Sequence, residues 1–207
     1  MESPVSKIAD LIRRTDRFLV SSHANPDGDA IGSTLALGHI LAHLGKDFAL
    51  YNPSGLPKQF DWLQLPGPIH TTLAGAEANW IFVLDCGTES RVGEELHRVM
   101  GSRPIANVDH HLGNPNFGQF NWVDDTYAAV GAMMADLADE LDIPLTGPLA
   151  EAVYLGLVTD TGFFTYDNTT PAVLELAARL IRLGMDPGQV NAKIRNQWGV
   201  NRFRLWG

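Results

Sequence analysis

The sequence predicts an α/β fold with a mostly parallel, doubly wound sheet flanked by helices. Apolar runs of strand length alternate several times with segments that have the length and apolar spacing of helices, and this alternation is typical of parallel sheets. Polar side chains follow the apolar runs directly, as Asp85 follows residues 80–84. Because the carboxyl ends of parallel strands share one edge of a sheet, these polar residues are expected to meet there.

The first half of the chain is predicted to alternate between helix and strand. Asp29 has the N-cap position of the second helix, and Gly45 has the position where that helix ends. Residues 52–79 are rich in proline and glycine, so only one helical turn near residues 60–63 is expected there. The predicted helices are 4–14, 30–44 and 90–99, and the predicted strands are 18–21, 46–51, 80–84 and 105–108.

The second half is predicted to be mainly helical after a loop at residues 112–120. Residues 163–166 are predicted to form a small strand. The end of the chain carries Arg195, Arg202 and Arg204 without a helix stop signal, which is typical of the beginning of a connecting segment. The predicted helices are 126–141, 147–159, 171–183 and 187–198.

Composition describes an ordinary globular protein with 45% hydrophobic and 19% charged residues. No apolar run approaches the roughly 20 residues that cross a bilayer, and the first residues lack the apolar region of a signal peptide, so a cytoplasmic protein without membrane contact is expected. The single cysteine, Cys86, excludes an internal disulfide.

The charge of the chain limits its binding partners. A net charge of −9 argues against binding of long duplex nucleic acid, but bound cations would permit a small phosphorylated substrate. A homodimer through a pair of surface helices is compatible with the sequence.

The loop HANPDGD, residues 23–29, packs three potential metal ligands into seven residues. Pro26 and Gly28 favour a tight loop over a continued strand, and a loop can direct His23, Asp27 and Asp29 toward one point. Later strand and helix ends add further candidates of the same kinds, which are Asp85, Asp109, His110, His111 and Asp160. Mixed carboxylate and imidazole ligands suit manganese, with magnesium, cobalt or zinc as alternatives, and enough are present for two ions that share a carboxylate.

Each candidate also has a simpler interpretation. Asp85 at a strand end is as often an N-cap for the next helix as a ligand. An EF-hand is excluded, since Ala30 and Ala36 occupy its glycine and closing glutamate positions. Cys86 is expected to be a small core residue. The remaining histidines have no acidic partner in register and are expected on surfaces or in packing; they are His39, His43, His70 and His97.

Four short motifs occur in a fixed order along the chain. They are H-x-N-P-D-G-D-A-I-G-S at 23–33, V-L-D at 83–85, V-D-H-H at 108–111 and G-L-V-T-D-T-G at 156–162. In this order they resemble the motifs of the DHH phosphoesterase superfamily, and the resemblance covers essentially the whole chain. The stretch at 159–170 is similar to the oligoribonuclease and PAP phosphatase branch, more than to RecJ nucleases or family II pyrophosphatases.

This resemblance implies two manganese ions and a role for each motif residue. His111 would face the substrate phosphate, and Asp109 would orient a ligand without binding an ion. Members usually carry a second, C-terminal substrate-binding domain, so residues 1–185 would be the catalytic domain and 186–207 the start of a helical linker, with the second domain absent from this sequence. The implied ligands are His23 and Asp27 for one ion, Asp29, His110 and Asp160 for the other, and Asp85 between them.

The predicted function is hydrolysis of phosphate esters by water that two metal ions activate. The expected substrates are short oligoribonucleotides, linear dinucleotides or adenosine 3′,5′-bisphosphate, with manganese as the cofactor and magnesium or cobalt as substitutes. Three alternatives stay open at this point: a RecJ-like single-strand exonuclease, a pyrophosphatase, and an isolated metal-binding lobe with little activity of its own.

Overall fold

The computed structural model describes residues 3–73 and 77–195, and its centre is a six-stranded sheet in which every pairing is parallel. The predicted α/β class with a parallel sheet is confirmed. The order across the sheet is β3-β2-β1-β4-β5-β6. The strands are β1 (Phe18–Ser22), β2 (Phe48–Tyr51), β3 (Ile69–His70), β4 (Trp80–Leu84), β5 (Ile105–Asp109) and β6 (Phe120–Val123).

Seven α-helices in the described part of the chain cover the two faces of the sheet unequally. The larger core includes side chains of α1, α2, α4 and α5, whereas the smaller core on the other face includes those of α3. No helix in residues 3–73 and 77–195 has the length and hydropathy to span a membrane. The helices are α1 (Pro4–Arg14), α2 (Gly28–His43), α3 (Glu94–Val99), α4 (Val130–Glu140), α5 (Gly147–Asp160), α6 (Pro171–Arg182) and α7 (Pro187–Arg195).

Strand β1 shows how the sequence produces a sheet that is buried on both faces. Phe18 and Val20 pack in the larger core, while Leu19 between them packs in the smaller one. Successive side chains of a strand point to opposite faces, so a central strand covered on both sides must be apolar throughout. The continuous apolar runs from which the strands were predicted have this origin.

The strand order places a crevice at the carboxyl ends of β1 and β4. The chain leaves β1 toward β2 on one side of the sheet, and then returns to add β4 on the other side. The loops after β1 and β4 therefore diverge, and open α/β sheets bind ligands at such a switch point. The loop at residues 23–27 and Asp85 are the segments that lie there.

Helix α2 begins two residues earlier than predicted, and its N-cap is Asp27 rather than Asp29. The Asp27 carboxylate accepts hydrogen bonds from the main-chain N–H groups of Asp29 and Ala30, both at 3.1 Å. The prediction of Asp29 as the cap was wrong because Gly28 and Asp29 already have helical geometry. The Asp29 side chain is thereby free to point away from its own helix.

Three predicted elements of the second half differ from the structure. Residues 163–166 are a turn rather than a strand, since Phe163 and Phe164 have φ of 58° and 63°, in the left-handed region. Helix α4 begins at Val130 rather than at residue 126, because Ala129 is extended and Asp124 binds Thr126 in a turn. Strand β6 lies in and just after the predicted loop, where it forms the sheet edge next to β5.

Two other predicted helices have different bounds. The predicted helix 90–99 is divided into a 3-10 helix, Glu89–Val92, and α3, because Gly93 between them has a φ of 91°. The predicted helix 187–198 is present as α7 up to Arg195. Its last three residues lie outside the described residues, as do Arg202 and Arg204.

Candidate metal centre

The loop after β1 is held by hydrogen bonds to a neighbouring loop. The Asn52 amide donates to the His23 carbonyl oxygen at 3.0 Å, and the Asn25 N–H donates to the Ser54 hydroxyl at 2.9 Å. Asn25 has a φ of 54°, a conformation that asparagine tolerates better than most residues. The loop therefore has a fixed path, with the His23 side chain 5% exposed and the Asp27 side chain 61% exposed.

Asp85 lies at the end of β4 with its backbone in the left-handed region, at a φ of 51°. Its side chain is 3% exposed, and its Oδ1 is buried without a hydrogen-bond partner. Non-glycine residues in this conformation are strained and cluster at functional sites. No hydrogen bond to the following helix is present, so the N-cap interpretation of Asp85 is not supported.

Main-chain carbonyl groups orient His23 and His110. The distance from Nδ1 to a carbonyl oxygen is 2.9 Å for His23, to Ala24, and 3.2 Å for His110, to Tyr127. A carbonyl oxygen only accepts, so Nδ1 carries the hydrogen in both rings. In the neutral imidazole Nε2 then bears the lone pair, and both Nε2 atoms point toward carboxylates.

Asp29 approaches the same point from α2 while it also caps α4. Its Oδ2 accepts from the Val130 N–H at 2.6 Å and its Oδ1 from the Gly131 N–H at 2.8 Å. Helix α4 has no cap from its own N-terminal segment, so a carboxylate about a hundred residues earlier satisfies these main-chain donors. Asp160 arrives at the carboxyl end of α5 with a 25% exposed side chain.

Glycines permit the close approach of these helices. A Cβ added to Gly156 of α5 would lie 2.3 Å from Asp29 Oδ1, and one added to Gly28 would lie 2.4 Å from the Thr159 side chain. A Cβ on Gly32 would lie 2.6 Å from the Ala152 carbonyl oxygen. The first turn of α2 therefore packs directly against α5, which brings Asp29 and Asp160 to the same edge.

The structure brings all six predicted metal ligands together in two overlapping groups. Around His110 Nε2, the nearest carboxylate oxygens of Asp160, Asp85 and Asp29 lie at 3.2, 3.5 and 3.8 Å. Around His23 Nε2, oxygens of Asp85 and Asp27 lie at 3.7 and 3.8 Å. One ligand atom per residue lies within 4.8 Å of the others in each of three sets, which are His23–Asp27–Asp85, Asp29–His110–Asp160 and Asp85–His110–His111.

The donor set fits one or more divalent cations of the oxygen- and nitrogen-preferring kind. Asp85 Oδ1 and His110 Nε2 are both buried without a hydrogen-bond partner, although they lie 3.5 Å apart. Buried polar atoms are usually satisfied, and a cation between them would satisfy both. Ligands at about 2.1 Å from one ion are separated by about 3 Å or more, which the spacings here match. Carboxylate and imidazole ligands suit manganese, magnesium or cobalt.

The charges of the cluster perturb its ionisable groups. Burial lowers the pKa of His110, but Asp160 and Asp85 outweigh it and raise that pKa to about 11. Burial raises the pKa of Asp29 well above its usual value, and the charges of Asp85 and Asp160 add to this effect. Burial would also raise the pKa of Asp27, yet His23 and the main-chain N–H groups lower it to about 2. A divalent cation that replaces the proton on His110 or Asp29 would stabilise the negative charge of the cluster.

His111 and Asp109 form a pair at the edge of the cluster. His111 Nδ1 lies 2.7 Å from Asp109 Oδ1, and the imidazole side chain is 38% exposed, whereas Asp109 is fully buried. Asp109 raises the pKa of His111, and burial lowers that pKa to a smaller extent. His111 Nδ1 lies 3.6 Å from Asp85 Oδ1. The geometry thus gives a buried carboxylate that holds an accessible imidazole beside the cluster.

Two groups that support the cluster were not predicted. Asn114 is buried and donates to Asp109 Oδ2 at 2.6 Å, so Asp109 is bound on both oxygens. Its position three residues after His111, before a proline, was a usable signal. The Tyr127 carbonyl oxygen, which orients His110, is a main-chain group, and its role could not be predicted because every residue has a carbonyl group. Cys86 is buried as predicted, burial raises the pKa of its thiol to about 12, and it belongs to none of the candidate ligand sets of the described residues.

Comparisons with curated proteins and solved structures find several relatives of this chain. A bifunctional oligoribonuclease and PAP phosphatase NrnA from Thermus thermophilus is 35% identical over 97% of this chain and 60% of its own length. The protein of that name from Bacillus subtilis is 30% identical over 81% of this chain and 53% of its own length. An exopolyphosphatase-related protein from Bacteroides fragilis superposes with a TM-score of 0.88 and 25% identity, over 98% of this chain and 63% of that chain.

The chain spans about 60% of the length of the NrnA protein from Thermus thermophilus. The family model described as "DHH family, N-terminal domain" matches residues 17–157. This range holds the loop after β1, Asp85 and the Asp109–His111 motif, and it ends three residues before Asp160. Because the match covers more than half of the sequence, the chain belongs to the DHH family.

Proposed function

We propose that this chain is the catalytic part of a metal-dependent phosphoesterase that acts on short oligoribonucleotides and on adenosine 3′,5′-bisphosphate. The observation that carries the proposal is the pair of buried, unpartnered atoms, Asp85 Oδ1 and His110 Nε2, at the junction of the two ligand groups. The activities in the names of the relatives from Thermus thermophilus and Bacillus subtilis suggest the substrate class.

In this proposal the cluster would hold two manganese ions, and Asp85 would contribute to both sites. His23 and Asp27 would hold one ion, and the three residues Asp29, His110 and Asp160 would hold the other. When bound, such ions lower the pKa of water and neutralise charge on a phosphoryl group under in-line attack. Support comes from the charge balance, since the four aspartates among the six proposed ligands match two divalent cations.

His111 has the proposed role of contacting the reacting phosphate, with Asp109 as the group that positions it. The partly exposed imidazole can reach a bound ester, whereas the buried Asp109 is reached only through His111. Because Asp109 raises the pKa of His111, the imidazole is protonated at higher pH than a free histidine. A protonated imidazole donates a charge-assisted hydrogen bond to a phosphate oxygen, and such bonds are among the stronger ones.

The proposal is tested with Asp85→Asn in the purified chain, after treatment with a chelator and addition of manganese. Asparagine tolerates the left-handed backbone of Asp85, so the variant removes the shared charge without adding strain. We expect kcat/KM for adenosine 3′,5′-bisphosphate and for a ribodinucleotide to fall by about 10³-fold or more, because several kcal/mol of charge stabilisation are lost.

The matched control is Asp142→Asn. Asp142 also has a left-handed backbone, with a φ of 57°, but it is exposed and lies between α4 and α5. Its substitution should leave the rate unchanged. Full activity of Asp85→Asn would contradict the proposed metal site. Faster hydrolysis of pyrophosphate or of single-stranded DNA by the parent chain would instead favour the alternative enzymes, and manganese binding without turnover would favour an isolated metal-binding lobe.

A further inference from the structure

Beside the candidate metal centre lies an open hollow of about 460 Å³ that the proposed roles do not use. The residues that line it come from the loop after β1 and from the segment just before α3. They are His23, Ala24, Asn25, Ser90, Arg91 and Gly93. His23 belongs both to this wall and to the cluster of candidate ligands. The hollow is therefore a direct extension of the site.

Arg91 is the cation of this hollow, and its guanidinium is unpaired. Within the described residues it takes part in no hydrogen bond or ion pair through its side chain. The two carboxylates that begin α3 are engaged elsewhere, since Glu94 pairs with Arg98 and Glu95 accepts from the Leu73 N–H. By contrast, Arg13, Arg17 and Arg179 each have an acidic partner. An unpaired guanidinium beside a cluster of four aspartates is available to an anion.

The position of Arg91 is fixed by the backbone on both sides. Its carbonyl oxygen accepts from the Ala24 N–H at 2.7 Å, which ties the segment to the loop that carries His23. Gly93 has a φ of 91°, and an added Cβ would lie 2.6 Å from the Pro53 ring. The chain therefore packs closely against the loop after β2. This anchoring distinguishes Arg91 from an arginine on a free surface helix.

Two polar groups of the hollow complement the guanidinium. The Asn25 side-chain oxygen accepts from the Ser54 hydroxyl at 3.4 Å, which directs its amide N–H groups elsewhere. The Ser90 hydroxyl is exposed and lies 3.2 Å from that of Thr88. Donors from amide, hydroxyl and guanidinium groups are the set that binds phosphate oxygens, and the planar guanidinium does so with two parallel hydrogen bonds.

We propose that Arg91 binds a second phosphate of the nucleotide substrate, next to the phosphate that reacts at the metal centre. This inference rests on the proposed function. For adenosine 3′,5′-bisphosphate the reacting group would be one phosphate and the Arg91-bound group the other. For a short oligoribonucleotide, Arg91 would bind the phosphate next to the reacting one along the strand. Arg91 is then a substrate-positioning residue that selects substrates with two phosphates over those with one.

The test is a comparison of binding with calcium in place of manganese, so that no turnover interferes. Isothermal titration calorimetry would give Kd for adenosine 3′,5′-bisphosphate and for adenosine 3′-monophosphate with the parent chain, Arg91→Ala and Arg91→Lys. A charge-assisted hydrogen-bond pair predicts that the parent prefers the bisphosphate by about ten- to a hundredfold. Arg91→Ala should remove this preference and leave the monophosphate Kd unchanged, while Arg91→Lys should retain part of it.

The matched control is Arg182→Ala, since Arg182 is also exposed and without a salt bridge in the described chain but lies at the end of α6, in a different hollow. It should bind both nucleotides as the parent does. A parent without preference, or an Arg91→Ala variant that keeps it, would overturn the role of Arg91 even if both nucleotides are hydrolysed with manganese. If neither is hydrolysed but the preference depends on Arg91, the proposed function fails and this binding site stands.

Discussion

The candidate ligands His23 and Asp27 lie on a loop and at a helix cap, whereas Asp29 and Asp160 belong to packed helices. Asp27 and Asp29 are two residues apart, yet the Asp27 side chain is 61% exposed and the Asp29 side chain is fully buried. Asp27 caps its own helix, whereas Asp29 caps α4, a helix that begins about a hundred residues later. Neighbouring residues of one motif therefore depend on different parts of the fold.

We therefore expect the ligands on the loop to affect metal binding with little effect on stability, whereas Asp29 should affect both. In the loop group, His23 and Asp27 are held by local hydrogen bonds, and solvent reaches the carboxylate. In the helix group, Asp29 satisfies buried main-chain donors and packs against Gly156. We infer that a change at Asp29 perturbs the protein as a whole, while a change at Asp27 perturbs the site.

The largest expected contrast is between Asp29→Asn and Asp27→Asn. In Asp29→Asn the new amide nitrogen must face the N–H of Val130 or Gly131, which leaves a buried donor unpaired at about 1 to 3 kcal/mol. Asn is as good an N-cap as Asp, and solvent screens the charge of the exposed Asp27 carboxylate, so Asp27→Asn should change the free energy of unfolding by less than about 1 kcal/mol. Urea unfolding with a chelator present measures both values.

Both variants should also lose manganese affinity, by about tenfold or more for the removal of one charged ligand. Calorimetric titration of manganese reads this loss independently of stability. Equal destabilisation by the two substitutions would contradict the division into a local and a packed group. Unchanged manganese affinity in both would contradict their assignment as ligands.

Gly156→Ala tests the packed group without touching a candidate ligand. The added methyl group would lie 2.3 Å from Asp29 Oδ1, and neither the buried carboxylate nor the backbone of α4 has space to retreat. Overpacking of this kind costs about 1 to 3 kcal/mol. Thermal unfolding should show the loss, and manganese affinity should fall with it because Asp29 moves.

Gly101→Ala is the control for that change, since an added Cβ at Gly101 meets nothing within 4 Å. It should leave Tm and manganese affinity close to those of the parent. If Gly156→Ala behaved like Gly101→Ala, the close approach of α5 to Asp29 would not determine the position of the carboxylate.

Much of this arrangement followed from local patterns in the sequence. Polar residues at the ends of apolar runs were expected to meet at one sheet edge, and Asp85 and His110 do meet there. Their spacing required only the strand assignments and the rule for parallel sheets. The buried character of α5 likewise followed from its apolar composition.

The tertiary roles of the same residues had no local signal. Nothing near Asp29 indicates that it caps α4, because its partners Val130 and Gly131 are distant in sequence. Strand β6 was assigned partly to a loop because polar Asn121 interrupts its apolar residues at the sheet edge. The left-handed turn at Phe163 and Phe164 was missed because aromatic residues favour strands, and tertiary packing overrides that preference.

The pH dependence of manganese binding tests whether the ions displace protons from the histidines of the cluster. The pKa of His110 is raised to about 11. Burial is the largest single effect on His23 and lowers its pKa, but the hydrogen bonds to Asp27 and Ala24 and the nearby aspartate charges together outweigh burial and raise it. The His110 ring is therefore protonated at neutral pH when a chelator removes cations, and an ion that binds its Nε2 must release that proton. Manganese affinity should rise with pH above 6.5, by about tenfold per pH unit for each proton released.

Calorimetry at pH 7 in buffers of different ionisation enthalpy counts the released protons. His43→Gln is the control, since His43 is exposed on α2 and outside both ligand groups; it should release the same number as the parent. A count of zero would mean that neither His23 nor His110 exchanges a proton for the ion.

Asn114→Ala tests a support that belongs to neither ligand group. Asn114 donates to Asp109 Oδ2, and with His111 it lowers the pKa of Asp109 against the raising effect of burial. A lowered carboxyl pKa adds stability above the ordinary value of about 3.8, and this stability is lost as the pH falls through the folded-state pKa. The variant should therefore lose about 1 kcal/mol of unfolding free energy at pH 7, and less near pH 3.

The control is Asn168→Ala, which removes a hydrogen bond to the uncharged Asp160 carbonyl oxygen. The unfolding free energy that this variant loses in urea should not depend on pH. If the loss in Asn114→Ala were equally independent of pH, the charge of Asp109 would not be what Asn114 stabilises.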